Sequence, residues 1–111
     1  MKIDDIIKQN GEKIIDKWSL NFIFEGGRSN GYFIVTDKNI YFRELVKITK
    51  QGITLSETDD GFVISRSDIV RVEEFRVWKF FKRFKIFFKD ESTLIFDRGL
   101  VSVEKIVNLI K

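Results

Sequence analysis

The sequence contains no cysteine, no histidine and no proline among its 111 residues. Without cysteine the chain has no disulfides, no thiolate metal site and no cysteine nucleophile, which suits a reducing cytoplasm. Without histidine it lacks the commonest general base and the commonest transition-metal ligand. We therefore predict no catalytic residues, no metal site and no cofactor, and we expect a protein that is not an enzyme.

Long apolar runs are also missing. The first residues, 1–8, carry acids where a signal peptide needs an apolar stretch. No window approaches the roughly 20 apolar residues of a membrane-spanning helix. A chain of this length forms one domain that buries roughly two thirds of the surface of its unfolded state. We predict a cytoplasmic protein that is soluble, or membrane-peripheral at most.

Apolar residues near the amino terminus recur with a period close to 3.6 and predict a helix over residues 3–15, interrupted at Gly11. On this interpretation residues 1–17 form an N-terminal helical segment and residues 18–111 form the rest of the domain. The predicted buried face consists of Ile3, Ile6, Ile7, Ile14, Ile15 and Trp18.

From Trp18 onward the apolar period changes to two, which predicts strands. The expected strands span residues 18–24, 32–36, 40–49, 62–65, 69–78, 83–89 and 93–97, and residues 53–55 form either a short extra strand or part of a loop. A slip in the alternation at Glu73 and Glu74 predicts a β-bulge. The sequence ends in an amphipathic helix after Ser102. The prediction is a mainly β fold, a seven-stranded bent sheet or barrel capped by a C-terminal α-helix, with an extra N-terminal helix.

Three segments carry a family resemblance. Residues 31–42 form an apolar strand, a Thr-Asp-x-x turn and a second apolar strand. Residues 62–72 form two strands joined by a short turn with Asp-Ile. Residues 103–110 form the final helix. In this order they resemble GRAM and bacterial PH-like domains. The resemblance implies a PH-like barrel of two near-orthogonal sheets, a fold that serves lipid headgroup binding, peptide binding and scaffolding.

The first hairpin departs from one pattern that the resemblance implies. PH domains that bind phosphoinositides usually carry Lys and then Lys/Arg-x-Arg across this hairpin. Here the loop offers Arg28 alone, followed by Ser29 and Asn30. The usual phosphoinositide site is therefore not expected.

Residues 76–89, which we call the basic aromatic hairpin, contain six basic residues, six aromatic residues and no acid. Because the whole chain has a net charge of +3, the other residues together carry a net negative charge. We expect Phe75 to pair with Ile86 and Val77 with Phe84 on the inner surface, with a turn near residues 80–81. The candidate binding residues are Arg76, Trp78, Lys79, Phe80, Phe81, Lys82, Arg83, Lys85, Phe87 and Lys89.

An apolar hairpin tip surrounded by lysine and arginine is suited to an anionic membrane surface, because each such cation contributes on the order of 1 kcal/mol there. We therefore predict a binding module for an anionic membrane surface or lipid headgroups. One alternative is that Phe80 and Phe81 fold under the N-terminal helix and the cations form an ordinary solvated face.

A second alternative is a protein-interaction or self-assembly domain on the same fold. The acidic loop at residues 57–60 could meet the basic aromatic hairpin of a neighbouring copy in a homo-oligomer, or an edge strand could recruit an extended peptide. The small net charge and the lack of a recognisable RNA-binding strand motif argue against a nucleic-acid partner.

Overall fold

The computed structural model describes residues 2–55, 61–78 and 81–111, which form a bent antiparallel sheet of eight strands with a helix at each end of the chain. The prediction of a mainly β fold with both terminal helices is confirmed, and within the described residues the sheet bends without closing into a barrel. The elements are α1 (Ile3–Gln9), β1 (Ile14–Phe24), β2 (Gly27–Thr36), β3 (Ile40–Thr49), β4 (Gly52–Leu55), β5 (Gly61–Ile64), β6 (Ile69–Trp78), β7 (Phe81–Phe88), β8 (Thr93–Asp97) and α2 (Glu104–Ile110).

The strands follow the order β4-β3-β2-β1-β8-β7-β6, and β5 pairs with β3. Residues 53–55, for which the sequence allows either a short strand or a loop, belong to strand β4. The inner face of the bent sheet packs against α2, and the rings of Phe84 and Phe96 stack at its centre with their centroids 5.3 Å apart. The predicted apolar face of the final helix is confirmed, since Val103, Ile106, Val107 and Ile110 are buried.

The predicted helix over residues 3–15 is wrong beyond Gln9. Gly11 has a φ of 65°, and the amide of Glu12 donates to the carbonyl oxygen of Ile7 at 3.0 Å, which is the usual glycine-based end of an α-helix. Residues 14–17 belong to β1 and pair with β2, so the helical segment does not extend to residue 17. Ile14 is 48% exposed, because it never joins the buried face of a helix.

Helix α1 covers the part of the outer face that β2 and β3 form near Ile34 and Tyr41. Ile3 and Ile7 pack against Ile34 and Tyr41, which lie on the opposite side of β2 and β3 from the main core. Trp18, predicted at the junction of the first helix and the first strand, lies within β1 and packs partly buried against the main core. The N-terminal segment is therefore part of the same packed unit as the sheet.

The predicted pairing within the basic aromatic hairpin is also wrong. Phe75 lies opposite Arg83, not Ile86, and Glu74 lies opposite Phe84. The register shifts fall at Val70 and Val77, not at Glu73 and Glu74. Phe75 is three positions from its predicted partner. Trp78 lies opposite Phe81, so pairing begins two positions closer to the end of the hairpin than predicted, and the bulge at Val77 displaces the preceding pairs by one further position.

Candidate functional site

A cleft of about 400 Å³ lies on the outer face of the sheet, where three chain segments converge. Ile23 pairs with Arg28, and Arg28 pairs with Ile48, so these side chains share one face of β1, β2 and β3. The remaining wall comes from the turns that follow β1 and β3 and from β7. The cleft is lined by Ile23, Gly26, Gly27, Arg28, Ile48, Thr49, Lys50, Phe81, Arg83 and Asp97.

Gly27 allows the wall of this cleft to form. A Cβ atom at this position would lie 2.3 Å from the carbonyl oxygen of Ile48 on the neighbouring strand, closer than atoms can approach. The glycine therefore lets β2 and β3 run side by side at the mouth of the cleft, where Arg28 and Lys50 are exposed.

Four cations at this end of the sheet have no carboxylate partner within 4.0 Å in the described part of the chain. Arg28 and Lys50 line the cleft. Arg76 lies directly opposite Lys82 near the end of the β6–β7 hairpin, on the face of the sheet opposite the cleft. Two like charges in cross-strand register repel each other, and an anion placed between them relieves the repulsion. The exposed acids nearby are Glu25, in the turn between β1 and β2, and Glu74 on β6.

Arg83 has a different environment from these four cations. Its Nε atom lies 3.3 Å from Oδ2 of Asp97, whose side chain is 4% exposed. The other Asp97 oxygen accepts a hydrogen bond from Nδ2 of Asn21 at 3.0 Å. Arg83 therefore lines the cleft with its charge largely neutralised.

Lys85, Phe87 and Lys89 do not join the cleft. Lys85 lies opposite Glu73, and the Phe87 ring lies 3.8 Å from the Arg71 guanidinium and 5.3 Å from the Lys85 amine. Lys89 follows the far end of β7, roughly 20 Å from Lys82 at about 3.3 Å per residue. The predicted site therefore does not form one surface, since these three residues lie away from the end of the sheet that carries the cleft.

The aromatic residues of the predicted tip are also divided. Phe81 is half-buried and lines the cleft, and Trp78, which lies opposite Phe81, is 65% exposed. The predicted residues Lys79 and Phe80, as well as the acidic loop at residues 57–60, lie outside the described residues.

A buried carboxylate that the sequence analysis missed lies beneath α1. Glu12 accepts hydrogen bonds from the Thr36 hydroxyl at 2.6 Å, from the Tyr41 hydroxyl, and from the side-chain amides of Asn10 and Asn39. Burial raises the pKa of Glu12, but these four hydrogen bonds outweigh burial and hold its pKa below the ordinary value. The sequence pattern does not indicate this role for Glu12, because it predicts a helix over residues 3–15.

The same cluster changes the titration of its tyrosine. Burial, together with the hydrogen bond to Glu12 and the negative charge of that carboxylate, raises the pKa of Tyr41 above its ordinary value. Glu12 accepts a hydrogen bond from each of these four side chains. The cluster therefore links the turn between α1 and β1 to the β2–β3 hairpin. Its geometry is that of a structural clamp.

Neither a metal centre nor a membrane-spanning helix is found in the described ranges 2–55, 61–78 and 81–111. No three acidic side chains there approach closely enough to hold a metal ion. No helix there has both the length and the apolar character needed to cross a bilayer.

The sequence indicates that Arg28 lies on the first hairpin, but not that this hairpin lies near the basic aromatic hairpin. It gives no indication that Lys50 belongs to the site. The pairing of β2 with β3 and of β1 with β8 brings these distant residues to one cleft. Basic residues in or next to the turns of hairpins that finish at the same end of the sheet are the signal that could have indicated the site.

This chain is similar to a protein of known structure in its fold. No protein-family model and no curated protein matches this sequence. The crystal structure of the C-terminal domain of an unknown protein from Leishmania infantum is similar, with a TM-score of 0.72 and 14% sequence identity over 96% of this chain and 89% of that chain. The two chains therefore share a fold.

Proposed function

We propose that this protein is a non-catalytic binding module of the GRAM and PH-like kind that attaches reversibly to an anionic membrane surface. The contact is made by the end of the sheet that carries the basic cleft. The observation that supports this best is that Arg28, near the start of β2, and Lys50, in the turn after β3, line one cleft with Phe81. Arg76 and Lys82 add two further unpaired cations at the same end of the sheet, on the face opposite the cleft.

The expected strength follows from the number of cations. At about 1 kcal/mol for each lysine or arginine near an anionic surface, four cations contribute roughly 4 kcal/mol. That energy alone corresponds to a dissociation constant of about 1 mM. Trp78, which is 65% exposed, strengthens the attachment by settling among the lipid headgroups.

The selectivity of this attachment is for surface charge rather than for one lipid. The first hairpin has Arg28 where phosphoinositide-binding PH domains usually carry several basic residues. Arg83, the least exposed of the three cations that line the cleft, is already neutralised by Asp97. We therefore expect vesicles of different anionic lipids to bind similarly at equal surface charge.

Co-sedimentation with neutral and anionic vesicles tests this proposal. The test variant carries Arg28→Glu, Lys50→Glu and Lys82→Glu. A matched control carries Lys89→Glu, Lys105→Glu and Lys111→Glu, three exposed cations away from the cleft with the same change in net charge. Losing three cations weakens binding by roughly 100-fold or more, at about 1 kcal/mol each.

The native protein and the control variant should both sediment with anionic vesicles and not with neutral ones, and the test variant should stay in solution. Raising the salt concentration should release the bound protein, because salt screens the attraction between exposed charges. Equal sedimentation of the test and control variants, or no sedimentation of the native protein, would contradict the proposal.

A further inference from the structure

Strand β6 has an open edge. One edge pairs with β7, and no strand in the described part of the chain pairs with the other. Near its start, residues 70–72 lie beside Ile110 of α2, whereas residues 73–78 are all exposed. An uncovered strand edge presents unpaired backbone donors and acceptors to any other strand that approaches.

The sequence of β6 protects this edge only in part, through four charged residues of both signs and a β-bulge on each side of residues 71–76. The strand contains neither lysine nor proline, the residues that commonly prevent edge-to-edge pairing. Phe75 is 37% exposed and Val77 is 46% exposed. A β-bulge at Val77 limits the regular edge to the residues before it.

Two charges of opposite sign flank Phe75 on this edge. Glu74 precedes it and Arg76 follows it, and neither has an ion-pair partner within 4.0 Å among the described residues. Arg71 and Glu73, by contrast, already pair with each other at 3.0 Å. The two unpaired charges are opposite in sign and one position from the central phenylalanine.

We propose that two copies of this chain pair through the β6 edges in antiparallel register, about a two-fold axis at Phe75. In this register Phe75 faces Phe75 of the second copy. Glu74 faces Arg76 of the second copy, and the symmetry makes this ion pair twice. Each arginine then has a carboxylate on its open side to offset the repulsion from Lys82 in its own chain.

This inference does not rest on the proposed membrane attachment, and the one residue that both proposals use is Arg76. The paired edge belongs to β6, whereas the basic cleft lies on the outer face formed by β1, β2, β3 and β7. The residues that test the pairing, Glu74 and Arg76, differ from those substituted in the vesicle experiment. Failure of one proposal can therefore be distinguished from failure of the other.

Charge reversal with sedimentation velocity analysis tests the register itself. The native protein should form a dimer as its concentration rises. Glu74→Arg alone places two pairs of arginines opposite each other, and Arg76→Glu alone places two pairs of carboxylates opposite each other. Each single variant should raise the dimer dissociation constant by about tenfold or more, because both cross-strand ion pairs become repulsive.

Two combinations should restore association. An equimolar mixture of the two single variants recreates both ion pairs in a heterodimer, and the double variant Glu74→Arg/Arg76→Glu recreates them in a homodimer. The exposed helix substitutions Glu104→Arg and Lys105→Glu serve as charge controls and should leave dimer formation unchanged. Circular dichroism of each variant confirms that it is folded.

A native chain that stays monomeric at every concentration would overturn the proposal and would leave an extended peptide from another protein as the occupant to seek. A dimer that both single variants leave intact would also overturn it. So would a mixture of the single variants that stays monomeric while each variant is folded.

Discussion

The Nε atom of Arg83 lies 3.3 Å from Oδ2 of Asp97, and the two residues are direct cross-strand partners in β7 and β8. Asp97 is 3% exposed and also accepts a hydrogen bond from the backbone amide of Gly99 at 3.3 Å. Arg83 therefore has a structural role in the basic aromatic hairpin, whereas Arg76 and Lys82 have no carboxylate partner among the residues that the structure describes and are available to a ligand.

Replacing Arg83 should therefore destabilise the fold. Arg83→Met leaves the buried carboxylate of Asp97 without its cation, and we expect the free energy of unfolding to fall by about 1–3 kcal/mol, below the full cost of breaking a fully buried pair because Arg83 is partly exposed. Lys82→Met is the matched control and should change stability by less than about 0.5 kcal/mol. Chemical denaturation of both variants measures the difference, and equal stability would contradict a structural role for Arg83.

The Glu12 cluster should behave as a coupled unit. Glu12→Gln replaces one acceptor oxygen with an amide that faces existing donors, and we expect a loss of about 1–3 kcal/mol in the free energy of unfolding. Tyr41→Phe removes one of the four donors. The double variant should lose less than the sum of the single losses, by about 0.5 kcal/mol or more, because the side chains share a hydrogen bond. Strictly additive losses would argue against the clamp.

Stability should decline on both sides of neutral pH. The folded chain lowers the pKa of Glu12, so the carboxylate's contribution is present above its ordinary value of 4.5 and is lost as pH falls through the lowered folded value. The folded chain raises the pKa of Tyr41, so that contribution is present below the ordinary value of 10.0 and is lost as pH rises through the raised folded value.

Denaturation curves across pH check this assignment. Glu12→Gln should flatten the acidic decline, and Tyr41→Phe should flatten the alkaline decline, each relative to the native chain. Glu104→Gln, a substitution at an exposed site, should leave both declines as they are. An acidic decline that is identical with and without Glu12 would show that other groups cause it.

Local patterns in the sequence predicted most of the fold. Apolar alternation indicated the strands, and the apolar face of residues 103–110 indicated α2. The first helix was overextended because Ile14 and Ile15 continue a helical period, although Asn10 and Gly11 form a standard helix end. A glycine just after the last turn of a helix is a stronger end signal than the two isoleucines that follow it.

The binding site was only partly predictable. The basic aromatic hairpin is contiguous in sequence, so its charge was visible, but the bulges at Val70 and Val77 carry no distinctive residue type. The hairpin register therefore could not be read from composition. Arg28 and Lys50 reach the cleft through long-range strand pairing, which local patterns do not encode.

Tryptophan fluorescence should report attachment to a membrane. The chain has two tryptophans, and Trp18→Phe leaves Trp78, which is 65% exposed, as the remaining fluorophore. Anionic vesicles should shift its emission to shorter wavelength, because an indole ring that enters the headgroup region leaves bulk water. Neutral vesicles should cause no shift. An unchanged emission under conditions where the protein sediments with anionic vesicles would place Trp78 outside the contact.

The most direct measurement of the central proposal is residue-resolved NMR with anionic lipid nanodiscs that carry a paramagnetic headgroup. If the basic cleft is the contact surface, backbone amides of Gly27, Lys50 and Lys82 should broaden strongly, and amides of α2 should not. Nanodiscs of neutral lipid should leave all of them unchanged. Uniform broadening over the whole chain, or broadening centred on α2, would contradict the account.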